Sequence, residues 1–431
     1  MKDFLNQKVV PYLLKIINTK TVQSFKNGML YIMPLTIIGS IFLLLANFPW
    51  KPVVNLLTAL KLIGPLNQVV GATFGIMALV AVAAIAFEYC KTENVAGGLN
   101  AGIIALACFL IVQESFVVTD SGTYIFDVID KSWCGGKGII AAILIGLITG
   151  RVYVFFIKKN IRIKLPDGVP EGIANSFNGL IPGLTMFFGA VIVYMVFNNL
   201  WHITAIEAIY VVIQMPLQGM TDSLPGAIML ALTVPFLWFF GVHGSSIAGA
   251  VMGPILQANM LENQAILDSG IPLTVANGGH IVTQQFMDQF QTVTGGGMTI
   301  GIVLFISFFA KSMQNKQLGK LTLIPAFFNI NEPILFGIPV VLNPIMAVPF
   351  VMMPVISSII LYFCQYTGIV PLFGAIMVPW TTPPVISGFI VGGVRVAILQ
   401  TLILALSFFV YLPFIRKVDQ MNLEVEKVSA Q

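Results

Sequence analysis

One carboxylate stands alone in a long apolar stretch of the chain. Glu332, in the run NINEPILFG, is the only charged residue between Lys320 and Arg395. A carboxylate in such surroundings is costly unless it is paired or faces water. We therefore predict that Glu332 lines an internal polar site that handles a ligand. The alternative is a structural carboxyl group that is protonated or bonded to the backbone.

A single histidine has a comparable setting in the run FFGVHGSS. His243 is the only Asp, Glu, His, Lys or Arg residue between Asp222 and Glu262, and glycines flank it closely. Glycine lets the backbone bend and approach a ligand. We predict that His243 belongs to the same ligand site as Glu332. The alternative is a packed, hydrogen-bonded core histidine.

Two tryptophans lie away from the predicted membrane interfaces. Trp238 precedes His243 by five residues, and Trp380 lies beside Thr381 in the run VPWTTPP. An indole face packs against the C–H face of a sugar ring, while nearby amides and hydroxyls bond the OH groups of the sugar. The pattern predicts a neutral, hydroxyl-rich ligand. The alternative is that both tryptophans are simple core aromatics.

The remaining polar residues limit the kinds of ligand and cofactor that the sequence predicts. The run at 275–297 is too polar for a spanning helix, and it is a hairpin end, a gate or part of the site. An anionic substrate would require an internal Arg or Lys. Only Arg395 qualifies, and it can also snorkel to the membrane interface. No His/Cys cluster has the spacing of metal ligands, so we predict no metal and no bound cofactor.

The composition defines the class of protein. The 431 residues are 57% hydrophobic and 9% charged, with a mean hydropathy of +0.92, whereas soluble proteins carry about 25% charged residues. The sequence therefore predicts an all-α polytopic membrane protein. The net charge of +4 does not indicate a nucleic-acid partner, because membrane topology explains the basic residues. The four cysteines form no CxxC motif and predict no disulfide framework.

Apolar runs of spanning length fill the first half of the chain. Most of the 22 Lys and Arg residues fall in segments on one side of these runs. The positive-inside rule then places both termini in the cytoplasm, with membrane lipid around the spans. The predicted runs are 27–47, 69–88, 101–118, 138–157 and 178–198.

The second half is less regular, because Gly and Pro interrupt its apolar segments. Such segments predict re-entrant hairpins and discontinuous helices around a cavity, which places the ligand site in this half. The segment 201–222 predicts an interfacial amphipathic helix that links two domains, and the alternative is a short loop. The predicted organisation is a scaffold at 1–200, the linker at 201–222, a transport domain at 223–415 and a tail at 416–431.

The runs GVHGSS and NINEPILFG, with the segment Trp380–Pro383, carry a family resemblance. They resemble the enzyme IIC component of bacterial sugar phosphotransferase systems, and more narrowly its lactose/cellobiose/diacetylchitobiose family. The resemblance extends over nearly the whole chain. It implies a protein of the bacterial cell membrane with about 10 transmembrane helices, two re-entrant hairpins and an interfacial amphipathic helix.

The resemblance also implies an activity. The N-terminal spans form a homodimer, and the C-terminal half holds a disaccharide and moves against this scaffold. The sugar is then phosphorylated on its 6-hydroxyl by a phosphocysteine of enzyme IIB, which enzyme IIA loads. We see no IIB segment here, because Cys364 lies in an apolar run and few residues follow Arg416. We therefore expect the chain to be the membrane subunit of a sugar phosphotransferase whose phosphoryl donor acts in trans.

Carried onto this chain, the resemblance implies specific substrate contacts. Glu332 and His243 would bond hydroxyls near the one that is phosphorylated, and either is a candidate general base. The two tryptophans would contact the sugar ring. The full set of predicted substrate-binding residues is Glu332, His243, Trp380, Trp238, Asn331 and Thr381.

Three other functions remain as alternatives at this stage. The first is a proton-coupled symporter of a neutral sugar in which Glu332 carries the proton, although proton relays usually use several buried ionisable residues. The second is a passive channel, which the broken second half disfavours. The third is a purely structural membrane protein, which gives no reason for Glu332.

Overall fold

The chain folds into two compact units. Unit 1 comprises the described residues up to Gln218, apart from Lys51, and unit 2 comprises those from Gly219 onward together with Lys51. The structure is a computed structural model. It describes residues 19–46, 51–119, 122–163, 166, 177–239, 244–338 and 343–429.

Unit 1 is a helical bundle with one short β-hairpin. The strands β1 (Phe116–Val118) and β2 (Tyr124–Phe126) pair antiparallel, with Val117 opposite Ile125. The helices are α1 (Lys20–Leu30), α2 (Met33–Ala46), α3 (Lys51–Ala59), α4 (Ile63–Thr73), α5 (Met77–Thr92), α6 (Gly98–Ile111), α7 (Ile139–Lys158), α8 (Leu180–Trp201), α9 (Ala205–Ile209) and α10 (Met215–Thr221), which ends beyond the unit boundary.

Helix α5 is the centre of unit 1. Ile85 has no exposed surface, and α1, α6 and α7 all pack against this helix. Glycines allow the close approach, as small residues commonly do between membrane helices. A Cβ atom at Gly102 of α6 would lie only 2.9 Å from the carbonyl oxygen of Ala83, and one at Gly146 of α7 would lie 2.8 Å from that of Val82.

Four of the five apolar runs predicted in the first half are confirmed as long apolar helices, and one is wrong in its second part. The predicted run 101–118 ends as a helix at Ile111, because Gln113, Glu114 and Ser115 interrupt it before β1. The confirmed runs correspond to the helical stretches Lys20–Ala46, Ile63–Thr92, Gly136–Lys158 and Leu180–Trp201.

Unit 2 contains helices of very different lengths. Between them lie short turns of π-helix at Met287–Gln291 and an irregular stretch at 367–385. The helices are α11 (Leu224–Phe239), α12 (Gly244–Asp268), α13 (Gln284–Phe286), α14 (Ile300–Phe308), α15 (Met313–Phe327), α16 (Glu332–Gly337), α17 (Pro344–Tyr366) and α18 (Ile386–Ser429).

The predicted irregularity of the second half is confirmed. Helices α13 and α16 are each less than two turns long, and α18 is interrupted at Gly392 and Gly393. Gly393 has a φ angle of 77°, which glycine adopts without steric cost. The segment predicted as an amphipathic linker is helical from Ala205 to Thr221, so the alternative of a short loop is wrong. Its interfacial position stays a prediction.

The length and hydropathy of the helices support a multi-pass membrane protein. Within the described residues, six helical stretches are long and apolar enough to cross a membrane. Counting Ala205–Thr221 and Leu224–Phe239 as one further span gives seven. The predicted total of about ten spans and two re-entrant hairpins stays a prediction.

Helices α14 and α15 form a helical hairpin in unit 2, and the last helix stabilises its tip. Asp419 of α18 accepts hydrogen bonds from the backbone N–H groups of Lys311 (2.8 Å) and Ser312 (3.2 Å), and Glu426 accepts one from Met313 (3.0 Å). Carboxylates at a helix N-terminus satisfy its free N–H groups and favour its dipole. The predicted tail is therefore helical and attached to α15.

A partly buried histidine between two carboxylates joins separate segments of unit 2. The Nδ1 atom of His280 lies 3.0 Å from Asp222 Oδ2, and its Nε2 atom lies 3.0 Å from Glu262 Oε2. Asp222 also accepts the backbone N–H of Ile281 (2.7 Å). Burial opposes the charge of His280, but the hydrogen bonds and charges of both carboxylates outweigh it and raise its pKa to about 9.

This cluster makes the stability of the protein depend on pH. The pKa of His280 is raised above the unfolded value of 6.5, so its stabilisation, about 3 kcal/mol, is complete below pH 6.5 and is lost as pH rises through 9. We expect His280→Asn to lower the melting temperature strongly at pH 6 and little at pH 10. The exposed His202, replaced by Asn, provides the control. An equal loss at both pH values would contradict the ion-pair assignment.

Candidate functional site

The predicted Glu332 motif forms a sharp turn between α15 and α16. Helix α15 ends at Phe327, and Asn329 follows in the left-handed conformation with a φ angle of 63°. Asn tolerates this region better than most residues. Pro333 then occupies the first turn of α16, where its missing N–H costs nothing. The turn therefore brings Asn329, Asn331 and Glu332 to one place in unit 2.

Asn329 joins three separate segments at this turn. Its side chain is 5% exposed. The Oδ1 atom accepts a hydrogen bond from the backbone N–H of Thr294 at 2.7 Å. The Nδ2 group donates to the carbonyl oxygens of Trp380 at 2.5 Å and Thr382 at 2.8 Å. A buried amide with all these bonds made fixes the register of the segments it joins.

Asn331 fixes the loop at 294–299 against the same turn. Its Nδ2 group donates to the carbonyl oxygen of Gly296 at 2.8 Å and to Thr299 Oγ1 at 3.1 Å. The Asn331 side chain can come this close to the loop because residue 295 is a glycine. A Cβ atom at Gly295 would lie 2.1 Å from Asn331 Cγ. Both amide hydrogens are thus donated within the chain. The predicted sugar contact of Asn331 would therefore have to be made by its Oδ1 atom.

The two predicted site tryptophans differ in their surroundings. Trp238 on α11 is 6% exposed, and its indole packs over Gly296, the residue that Asn331 also contacts. Trp380 is 55% exposed, so its ring is not part of the packed interior. Thr381 beside it is exposed as well. The buried ring has a packing role beside the Asn331 loop, and most of the surface of the Trp380 residue is exposed.

The structure describes Glu332 but not His243. Glu332 is half-buried as the first residue of α16 and interacts with other groups of the chain. His243 lies outside the described residues, between Phe239 and Gly244. The sugar-binding roles of all six predicted residues stay predictions. The structure brings Glu332, Asn331, Trp238 and the Trp380–Thr381 segment together around the loop 294–299.

Sequence reasoning missed residues that build this arrangement. Gln400 of α18 accepts hydrogen bonds from the backbone N–H groups of Val385 (2.6 Å) and Gly388 (3.1 Å), and its Nε2 group donates to the carbonyl oxygen of Gln289 (2.9 Å). It therefore connects the segment after Trp380 to the π-helical turn. The available signal was a lone amide within an apolar helix, which needs a partner.

Two glutamines of the polar run at 275–297 form hydrogen bonds with the segment that precedes Trp380. Gln285 Oε1 accepts the backbone N–H of Val378 (3.2 Å), and Gln289 Nε2 donates to the carbonyl oxygen of Val378 (3.3 Å). Both glutamines are fully buried, whereas Asn277 is exposed. Arg395 is exposed on α18. In the described part of the chain, no group of three His, Cys, Asp or Glu residues could hold a metal ion.

The fold and this turn define a class: a multi-pass membrane protein with a cluster of polar side chains on interrupted helices. The family model described as "Phosphotransferase system, EIIC" matches residues 26–354. The chain therefore belongs to the EIIC family of the phosphotransferase system, as the resemblance predicted. It is a sugar-transport component of such a system, which implies a sugar substrate and IIB and IIA partner proteins.

Individual relatives are similar to the chain along nearly their whole length. The chain is 35% identical to the lichenan permease IIC component of Bacillus subtilis (strain 168), over 99% of this chain and 95% of the relative. It is 36% identical to the cellobiose-specific EIIC component of Geobacillus stearothermophilus, over 99% and 96%. The crystal structure of ChbC, the IIC component of the N,N'-diacetylchitobiose-specific system, matches with a TM-score of 0.93 and 32% identity, over 98% and 99%.

Proposed function

We propose that the chain binds and translocates a β-linked disaccharide of the cellobiose, diacetylchitobiose or lactose type. The names of its relatives support this substrate class. The observation that carries the proposal is the side chain of Asn329, which holds the exposed Trp380 segment beside the turn that carries Glu332. An indole face next to a carboxylate and amides suits a sugar ring with its hydroxyls.

In this proposal the sugar is phosphorylated on its 6-hydroxyl by a separate phospho-IIB protein, which IIA loads. Phosphoryl transfer to an alcohol depends on positioning and on removal of the hydroxyl proton. Glu332 and His243 bond hydroxyls near the acceptor, and either one takes that proton. Both termini lie in the cytoplasm with IIB, and the N-terminal unit forms a homodimer. No bound cofactor takes part.

The experiment that tests the function is a binding and product assay. Radiolabelled cellobiose, diacetylchitobiose and lactose are offered to the purified protein in detergent, and phosphorylated IIB is then added. We expect one disaccharide to bind and to appear as its 6-phosphate. Binding without any sugar phosphate, together with uptake of unmodified sugar that follows a pH gradient, would replace the proposal with proton symport.

Trp380 provides a direct test of the sugar contact. We expect Trp380→Ala to raise the Kd of the disaccharide roughly thirtyfold, because the lost stacking surface contributes about 2 kcal/mol. Titration calorimetry in detergent measures this change. Trp201→Ala removes another exposed indole, 58% exposed in unit 1, and should leave the Kd unchanged. An unaltered Kd in Trp380→Ala would remove the ring from the proposed site.

A further inference from the structure

Helix α7 of unit 1 has an arginine at membrane depth. Arg151 is exposed, and it lies inside the apolar stretch Gly136–Lys158, which is long enough to span a membrane. The part of this stretch that precedes Arg151 rises only about 22 Å, whereas the hydrocarbon core is about 30 Å thick. The span therefore needs the residues after Arg151, and the arginine lies within the hydrocarbon region rather than at its edge.

Arg151 belongs to a stripe of exposed side chains along α7. Ile148 precedes it by three residues and Phe155 follows it by four, a spacing that places all three on one face of the helix. Ile148 is 54% exposed and Phe155 is 52% exposed. Lys159, also exposed, continues the same stripe directly after the helix ends. The stripe thus consists of two cations with apolar surface beside and between them.

Neither cation of the stripe has an acidic partner in the described part of the chain. Arg151 and Lys159 take part in none of its ion pairs. The two described carboxylates at this end of unit 1, Glu88 and Glu93, are already bonded to other lysines. An unpaired charge at membrane depth is costly, so the stripe requires an anion from outside these segments.

The direction of α7 makes it difficult for Arg151 to reach the membrane surface alone. Side chains of a helix lean toward its N-terminus, and on the orientation predicted from the basic residues α7 runs toward the cytoplasm. The Cβ atom of Arg151 is therefore directed toward the bilayer centre. The same rule directs Lys159 back along the stripe toward Arg151. An anion that enters between the two cations neutralises both.

A phospholipid supplies what the stripe lacks, and a second copy of the chain does not. A two-fold interface places the same patch on both subunits, so the stripe would bring cations against cations. A lipid phosphate accepts the paired hydrogen bonds of a guanidinium, and acyl chains cover Ile148 and Phe155. No described carboxylate is free on this face to bind a choline or ethanolamine group, so a lipid with net negative charge is favoured.

We propose that this face of α7 binds one anionic phospholipid of the cytoplasmic leaflet. The phosphate lies between Arg151 and Lys159, at the level of Phe155, and the acyl chains extend past Ile148 toward the bilayer centre. Bound lipid stabilises unit 1 because it neutralises the arginine at membrane depth. The proposal is independent of the sugar site in unit 2.

Two lipids that differ in net charge test the proposal. Phosphatidylglycerol and phosphatidylcholine with identical acyl chains are each titrated into the full-length protein in detergent, and the bound lipids are counted by native mass spectrometry. We expect the first phosphatidylglycerol to bind with a Kd at least about tenfold lower than that of phosphatidylcholine. Equal affinities for the two lipids would overturn the proposal.

Variants locate the lipid. Arg151→Gln should raise the Kd of the first phosphatidylglycerol roughly tenfold and leave that of phosphatidylcholine unchanged. Arg151→Lys keeps the charge but loses the paired hydrogen bonds, so its Kd should lie between those of Arg151→Gln and the unaltered protein. Arg416→Gln removes an exposed arginine from α18 and should change neither Kd. Undiminished binding of phosphatidylglycerol to Arg151→Gln would refute the site.

The melting temperature in detergent distinguishes lipid binding from a defect in folding. Phosphatidylglycerol should raise the melting temperature of the unaltered protein, because a ligand of the folded state stabilises it by mass action, and should not raise that of Arg151→Gln. Without lipid, Arg151→Gln should melt no lower than the unaltered protein, since it removes an unpaired charge. A lower melting temperature without lipid, with the rise on adding lipid retained, would assign Arg151 a structural role and overturn the proposal.

Discussion

Glu332→Gln is expected to abolish phosphorylation-coupled uptake of the disaccharide while the protein remains folded. The substitution keeps the size of the side chain and one acceptor oxygen, but it removes the charge and the ability to take a proton. Hydrogen bonds to a carboxylate are roughly twice as strong as neutral ones, and a general base contributes about 10²–10⁴ in rate. We therefore expect uptake to fall by at least about 10², measured with labelled sugar in vesicles supplied with phospho-IIB.

A comparison of binding with turnover shows which part of this loss is chemical. Calorimetry on Glu332→Gln should show a smaller loss in affinity than in phosphorylation, because the amide still accepts a hydroxyl. Glu424→Gln changes an exposed carboxylate of α18 in the same unit and should retain full uptake. Near-normal uptake by Glu332→Gln would eliminate the carboxylate from the mechanism and leave it the structural role considered at the outset.

The features of the site that could be predicted are those that are energetically costly inside a membrane. Glu332 was identifiable because an isolated charge in an apolar stretch is costly, and Asn331 followed as its neighbour in the chain. The irregular second half was identifiable for a similar reason, since Gly and Pro interrupt helices that would otherwise continue. These signals are local, and a single sequence contains them.

The rest depends on contacts between distant segments. Asn329 stands two residues from Asn331 in the same motif, but its partners Thr294 and Trp380 lie 35 and 51 residues away. No local pattern distinguishes the amide that joins loops from one that contacts a ligand. The early end of α6 was missed because the prediction used the average hydropathy of the run 101–118. Three polar residues lower that average only slightly, whereas the helix itself ends before them, at Ile111.

Asn329→Gly should weaken disaccharide binding about as much as the loss of Trp380 itself. Glycine keeps the left-handed backbone but removes the bonds to Thr294, Trp380 and Thr382. Each buried group left unpaired costs about 1–3 kcal/mol, so the two loops lose their register. We expect the Kd to rise roughly tenfold or more by calorimetry, with the helical circular dichroism unchanged.

A double-mutant cycle distinguishes positioning from general destabilisation. If Asn329 acts by holding the Trp380 segment, the variant that lacks both side chains should bind hardly worse than either single variant, because coupled residues are not additive. Independent effects would multiply the two losses. Asn94→Gly provides the matched control, since Asn94 is also left-handed, with a φ angle of 55°, but exposed in unit 1. Additive losses would show that Asn329 supports the fold generally, and the proposed sugar site would then lose its support from the hydrogen bonds of Asn329.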